Sequence, residues 1–450
     1  MPRAAVRGWA AAAAVYLLAV FNRSSLGVAG LVAEQRFHIG PGALSVFVML
    51  QLGVYAAMQI PTGLLVDRYG PKRLLIAAAT VMAVAQLGFA AAHSYPLALA
   101  ARALLGCGDA LTFISVLRYA ATHFSAKRYP LLVAATAMLG TVGNVGATVP
   151  LTALLNGPGW TASFLFAAGA SVVGAVGVIA LVNDPTAQPR RVRRDEVAAG
   201  LRKIGTRVQA AWHVPGTRLG FWVHFSCMAA GTPFAVLWGH PYLVEGARFS
   251  DSAASQLLMA AVIAIGIGNP TVGVITGRWP VVRVPLSLCA CGVTIASLLL
   301  LVAGAGDHPP KPLAAVVFIL VMLGGPASMT AFAVARDYNP PHTLGTASGV
   351  VNVAGFSATV IASVAFGAVL DAQGGADPRS MRFALLVLVA VQSFGTWRLA
   401  VWFRRLRADV RRRQDAGELV PIPIGRRMWF DVRDLEGPAV TPGDAVRAGG

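Results

Sequence analysis

The chain is expected to be an all-α membrane protein, with twelve transmembrane helices grouped as two six-helix bundles. Three observations predict this. Hydrophobic residues make up 56% of the chain and charged ones 12%, with a mean hydropathy of +0.65, too little polarity to clothe the whole exterior against water. Apolar runs of helix-spanning length recur along the chain. The two halves also repeat each other.

A helix needs about 20 apolar residues to cross roughly 30 Å of hydrocarbon. Runs of that length fall near 9–32, 43–63, 74–92, 96–117, 130–154, 160–182, 219–243, 254–276, 284–304, 313–334, 344–370 and 381–402. Strands of a membrane barrel would be half as long and would alternate, so each run is read as a helix that satisfies its own backbone. Arg3 and Arg7 before the first run resemble the start of a signal peptide. The run is too long for one and more follow, so it reads as an uncleaved first span.

The net charge of +18 orients the chain. With the N-terminus placed in the cytoplasm, Arg36, Arg248, Lys311, Arg379 and Arg382 fall in external loops, and Arg23, Arg102, Arg118 and Arg398 within spans. The remaining Lys and Arg residues lie on the cytoplasmic side, the asymmetry that insertion produces. The basic excess therefore calls for lipid and for no nucleic acid. Cys107, Cys227, Cys289 and Cys291 lie within spans at no metal-ligand spacing, so they read as packing residues. No cofactor or metal is expected.

Residues 1–182 form the first bundle, 183–218 a basic cytoplasmic linker, 219–403 the second bundle and 404–450 a polar cytoplasmic tail read as disordered. Within the linker, either a short amphipathic helix near 195–211 or a solvated connector fits the sequence. Gly63 and Arg68 correspond to Gly273 and Arg278, Arg118 to Arg336, and Asn144 to Asn352. That register suits bundles related by an axis along the membrane normal. Scarce lysine beside abundant Arg and Ala suggests a GC-rich bacterial genome, hence an inner membrane with both termini cytoplasmic.

Between spans 2 and 3 stands Gly63-Leu64-Leu65-Val66-Asp67-Arg68-Tyr69-Gly70-Pro71-Lys72-Arg73. The pattern G-x-x-x-D-R-x-G-x-[KR]-R resembles the loop in that position in the major facilitator superfamily. The resemblance covers about residues 9–402 and implies a carrier whose bundles rock about a central site. It also implies that Gly63, Asp67, Arg68, Gly70, Lys72 and Arg73 act as a conformational latch, with Asp67 near a helix N-terminus that favours its charge. In the second copy Gly277 stands at the Asp67 position, so that latch lacks its acid. No Gly-Lys pair occurs anywhere, so the phosphate cradle of an ATP-driven pump is missing. A gradient must drive the cycle, by proton coupling or by exchange.

Ionisable groups inside spans are costly and hence candidates for function. Arg23 lies roughly 21 Å into span 1 at 1.5 Å per residue, and its place resembles the span 1 Arg of organic-anion symporters. Arg102-Ala103-Leu104-Leu105-Gly106-Cys107-Gly108 resembles the superfamily's span 4 motif, R-x-x-x-G-x-G. Its Arg is tied to proton coupling there or bonds span 1 backbone. Guanidinium forks suit carboxylate, nitrate or phosphate, so the expected cargo is a small anion. Asp109, seven residues beyond Arg102, is either the proton carrier or one half of an ion pair with Arg23 or Arg118. His224 in span 7 is a substrate contact or a hydrogen-bonding packing residue.

Gly140-Thr141-Val142-Gly143-Asn144-Val145-Gly146 allows close helix packing, and G-x-x-G-N-x-G also resembles the nitrate signature of nitrate/nitrite porters. Asn352, in Gly349-Val350-Val351-Asn352-Val353-Ala354-Gly355, is a partial second copy. Those porters hold nitrate with an Arg in spans 2 and 8, which this chain lacks. The Gly-Pro pair of drug/proton antiporters is also missing from span 5. Trp238-Gly239-His240-Pro241-Tyr242 reads as a breakable gate, or as interfacial anchoring by its aromatics.

The sequence thus points to a monomeric secondary carrier of a small anion. Multidrug efflux and a non-transporting receptor on the same fold are the alternatives. No span or loop assembles a nucleophile with a base, so an enzyme is not expected.

Overall fold

The computed structural model describes residues 3–39, 41–183, 205–303, 309–375 and 377–422. All regular structure among them is helical. The first six helices are α1 (Arg3–Phe37), α2 (Pro41–Tyr69), α3 (Pro71–Ala91), α4 (Tyr95–His123), α5 (Tyr129–Asn156) and α6 (Gly159–Leu181). A short α7 at 205–213 precedes α8 (Pro215–Met228). Two three-residue helices, α9 (Gly231–Pro233) and α10 (Gly239–Pro241), lead on to α11 (Asp251–Arg278) and α12 (Arg283–Ala303). Then come α13 (Lys311–Met322), α14 (Gly324–Ser328), α15 (Thr330–Tyr338), α16 (Leu344–Gln373) and α17 (Pro378–Asp415). Ten helical stretches among the described residues are long and apolar enough to cross a membrane.

Two compact units result. The first comprises Met1–Phe124, Thr136–Ala211 and Pro340–Val350, and the second Ser125–Ala135, Trp212–Asn339 and Val351–Gly450. The first turns of α16 therefore belong with the first unit, and those of α5 with the second, a division finer than the expected cut in the linker. In the first unit α3 packs on α4 and α6, and α1 on α4 and α6. Phe37, Phe47, Phe89, Trp160 and Phe164 are buried together there, with edge-on geometry such as Phe89 to Phe164 at 4.7 Å between centroids. In the second unit α8 packs on α15 and α17, and α12 on α17.

Four expectations need adjustment. The 63–73 segment is hardly a loop: Asp67 and Arg68 end α2, Gly70 alone makes the turn at φ 79°, and Pro71 opens α3. Only glycine enters that left-handed region without strain, and proline suits a first helical position. The seventh span is interrupted from Ala229 onward, with π-helical segments Phe234–Trp238 and Tyr242–Gly246. Each follows a proline, Pro233 or Pro241, whose missing N–H breaks the regular ladder.

The tenth span also breaks, into α13, α14 and α15, where Gly324-Gly325-Pro326 removes the bond that Met322 would receive. Finally, part of the tail is helical. Helix α17 passes residue 404 and continues to Asp415 because Trp402, Leu406 and Val410, four apart, give it an apolar stripe that is buried. Residues 423–450, and 184–204 with most of the suggested linker helix, lie outside the described residues.

Candidate functional site

Four consecutive polar residues of α1, Asn22 to Ser25, organise the first unit. Successive helical residues turn by about 100°, so each faces a different neighbour. Asn22 donates to Ser171 of α6 at 3.2 Å and accepts from Gln86 of α3 at 2.9 Å. Ser24 donates to Asn144 of α5. Ser25 accepts from Arg102 of α4 at 3.2 Å. In a span these bonds serve as the specific glue between helices.

Arg23 faces Asp109 of α4. Its Nε and Nη2 donate to Oδ2 and Oδ1 at 2.7 and 2.8 Å, a two-pronged fork. Asp109 is fully buried, whereas the Arg23 side chain keeps 22% exposure. The Tyr55 ring lies 4.5 Å from the Arg23 guanidinium carbon, a cation–π contact that holds the fork from α2. One charge is thus enclosed and its partner remains reachable.

Arg102 lies elsewhere. It has 0% exposure, donates to the Asn22 carbonyl at 3.2 Å and stands 4.1 Å from the Phe89 ring centroid. No carboxylate pairs with it among the described residues. Its surroundings correspond to the span 1 backbone contact that the sequence left open.

In the second unit, His224 of α8 and Asn352 of α16 meet through a side-chain hydrogen bond. His224 Nδ1 also lies 3.3 Å from the Ser328 carbonyl, and its ring meets Phe332 edge-on at 5.1 Å. The two units thereby repeat one device: an Asn of α5 or α16 bonds a polar side chain of α1 or α8. The sequence aligned the asparagines and missed their partners.

Of the residues expected to form a latch, Asp67 and Gly63 meet the start of α16. Asp67 Oδ1 accepts from the Gly345 N–H at 2.8 Å, and Oδ2 from the Thr346 N–H at 2.7 Å and hydroxyl at 2.8 Å. Arg118 Nε stands 3.5 Å from Asp67 Oδ1. Gly63 allows the approach, since a Cβ there would strike the Gly345 carbonyl. Lys72 donates to the Ile179 carbonyl at 2.9 Å near the end of α6, where cations are favoured. Arg68 lies over Tyr69 at 5.2 Å, and Arg73 is exposed.

Arg283 of α12, close in sequence to the second copy of the motif, pairs with Asp337 of α15, a pair that the sequence reading overlooked. Arg283 is 2% exposed and also donates to the Thr276 carbonyl at 3.0 Å. Beside it Arg336 lies 4.9 Å from the Tyr129 ring centroid. The available signal was an acid ending an apolar run, directly after the aligned Arg336.

Comparison with known proteins fits this architecture. The family model described as Major Facilitator Superfamily matches residues 12–363. The probable galactarate/D-glucarate transporter GudP of Escherichia coli (strain K12) is 22% identical over 409 residues, covering 84% of this chain and 91% of that protein. The transporter FucP in its outward conformation superposes with a TM-score of 0.65 at 14% identity, over 87% of this chain and 99% of that one. The proton:xylose symporter XylE, bound to 6-bromo-6-deoxy-D-glucose, gives 0.61 at 14% identity, over 87% and 94% of the two chains.

Proposed function

Because the chain belongs to the major facilitator superfamily, it is a secondary transporter and not an enzyme, and we propose that it carries a small carboxylated solute of the sugar-acid class together with a proton. One observation carries this reading: the fork between Arg23, partly exposed, and Asp109, fully buried. The 22% identity to a probable galactarate/D-glucarate transporter supports a sugar-acid cargo.

The fork supplies a coupling rule. With Asp109 ionised the pair is neutral. Protonating Asp109 leaves the Arg23 charge uncompensated in a medium where isolated charges are costly, and a substrate carboxylate then neutralises it. At the fork, the empty state and the state holding one proton and one carboxylate are neutral, whereas the half-loaded states are charged and resist reorientation; for a dicarboxylic sugar acid the balance closes when its second carboxylate brings a proton of its own. Proton and anion therefore move together.

In this reading Arg23 binds the carboxylate and Asp109 carries the proton. Arg102 holds α1 in register for both, Asn144, which bonds Ser24 next to Arg23, offers a hydrogen bond to a sugar hydroxyl, and His224 and Asn352, buried together in the second unit, hold α8 to α16. Gly63, Asp67, Arg68, Gly70, Lys72 and Arg73 form the latch. One chain holds both repeats and acts as a monomer, placed by its basic segments in a bacterial inner membrane with cytoplasmic termini.

The test is uptake of labelled D-glucarate or galactarate into proteoliposomes under an inward proton gradient. Asp109→Asn should abolish accumulation yet keep exchange of substrate for substrate, while Arg23→Gln should abolish both. Undiminished accumulation by Asp109→Asn, or transport of lipophilic cations and no anions, would overturn the reading.

A further inference from the structure

Where α17 leaves the apolar part of the second unit, it borders a cavity of about 390 Å³ against α12, lined by Leu288, Ala400, Phe403, Arg404, Arg407, Ala408 and Arg411. The α17 members are spaced by three and four, so they form one continuous stripe. Along the axis the stripe changes character. Ala400 and Phe403 come first, then Arg404, Arg407 and Arg411 with Ala408 between the last two; Leu288 of α12 also lines the cavity, and no carboxylate does so among the described residues. The helix is anchored by its other side, through buried Trp402, Leu406 and Val410.

Neighbouring arginines are engaged differently. Asp409 pairs with Arg412 at 3.2 Å and Arg413 at 3.0 Å. Arg405 lies over the Trp402 ring at 5.0 Å. Asp409 is thus engaged away from the groove, and the three groove arginines concentrate positive charge over roughly 10 Å of helix. Within the groove Arg407 lies 5.6 Å from the Phe403 ring centroid, at the seam between its apolar and basic parts.

We propose that this groove is a binding site for an anionic phospholipid, its phosphodiester held by Arg404, Arg407 and Arg411 and its acyl chain laid along Phe403, Ala400 and Leu288. An apolar stripe that turns basic over one helical turn matches a molecule with a hydrocarbon tail and a charged head. A free anion has no use for the apolar part, and a neutral lipid has none for the arginines. The site also has the character of the basic pockets between transmembrane helices that hold anionic headgroups.

The experiment is native mass spectrometry of the full-length protein in detergent, supplied with phosphatidylglycerol or phosphatidylcholine. Phosphatidylglycerol should be retained preferentially. Its affinity should fall about fivefold per arginine removed, roughly a hundredfold for R404Q/R407Q/R411Q, while R412Q/R413Q leaves it within about twofold because Asp409 already engages that pair. Should the triple variant fail to fold, Arg407→Gln alone should show the fivefold loss. Equal retention of the two lipids, equal loss in both multiple variants, or displacement of phosphatidylglycerol by inorganic phosphate at matched concentration would overturn the proposal, the last by showing a free-anion site. Lipid retention is read independently of transport, so this result stands or falls apart from the cargo.

Discussion

Thr346 gives Asp67 two hydrogens on a single oxygen, from its backbone N–H at 2.7 Å and its hydroxyl at 2.8 Å. With the Gly345 N–H on the other oxygen, a carboxylate from α2 caps α16, a task usually done by the residue before the helix. Local Thr343 does not do it, since its hydroxyl bonds the Pro340 carbonyl at 3.2 Å. Asp67→Ala should therefore cost about 1–2 kcal/mol, the range of a lost cap, and should slow transport more than it weakens substrate binding. Asp67→Asn keeps an acceptor and should lose less on both measures, read by thermal unfolding and by uptake kinetics.

The same junction depends on contact between two glycines. A Cβ on Gly345 would lie 2.6 Å from Asp67 Oδ1 and 2.7 Å from the Gly63 carbonyl. Gly345→Ala should thus destabilise by about 1–3 kcal/mol, as overpacking does. Gly53→Ala in the same α2 meets nothing within 4 Å and should gain up to about 1 kcal/mol from helix propensity. Thermal unfolding of the two variants checks the contrast, and equal shifts would refute it.

Arg283 and Asp337 are both buried, at 2% and 8% side-chain exposure. Removing either partner strands the other charge, so Arg283→Met or Asp337→Leu should cost about 3–5 kcal/mol. The double variant should recover most of that loss, because apolar side chains of similar size replace buried pairs well. A double-mutant cycle on unfolding midpoints reads the coupling. Additive losses would show that the pair does not act as a unit.

What was legible in the sequence follows from the range of each interaction. Runs of apolar residues declare spans because the bilayer demands them locally. Asp67 was assigned to a helix N-terminus by resemblance, and the carboxylate does sit on Gly345 and Thr346. Asp109 was a proton carrier or an ion-pair partner, and Arg23 was among its candidate partners. Neither Arg283 with Asp337 nor Ser24 with Asn144 could be found, because such pairs join residues far apart in sequence and depend on helix rotation. The extension to Asp415 was hidden because its apolar stripe of Trp402, Leu406 and Val410 is diluted by arginines on every other face.

Acid stability should depend on Asp377, which lies ahead of α17. The Ser380 hydroxyl and N–H, and then the Arg379 N–H, hold its carboxyl below the usual Asp range. A depressed folded pKa stabilises above the unfolded value of about 3.9, and that gain is lost as pH falls through the lower folded value. The difference in unfolding temperature between wild type and Asp377→Ala should hold steady above about pH 5 and shrink toward pH 3. A difference independent of pH over that interval would show that the charge plays no part.

Arg102 separates structure from transport. Its guanidinium donates to the Asn22 carbonyl and the Ser25 hydroxyl and stacks near Phe89, three contacts that need a planar fork and that a lysine ammonium cannot reproduce together. Arg102→Lys should destabilise by about 1–3 kcal/mol, the cost of buried hydrogen bonds lost to a charge. Arg102→Met removes the buried charge along with the bonds and should unfold at a temperature nearer wild type. If Arg102 acts by fixing α1, both variants should misplace Arg23 against Asp109, lowering the maximal rate of anion uptake while exchange and gradient-driven uptake fall in proportion. Selective loss of gradient-driven uptake in Arg102→Met, with exchange intact, would instead make Arg102 part of the proton path.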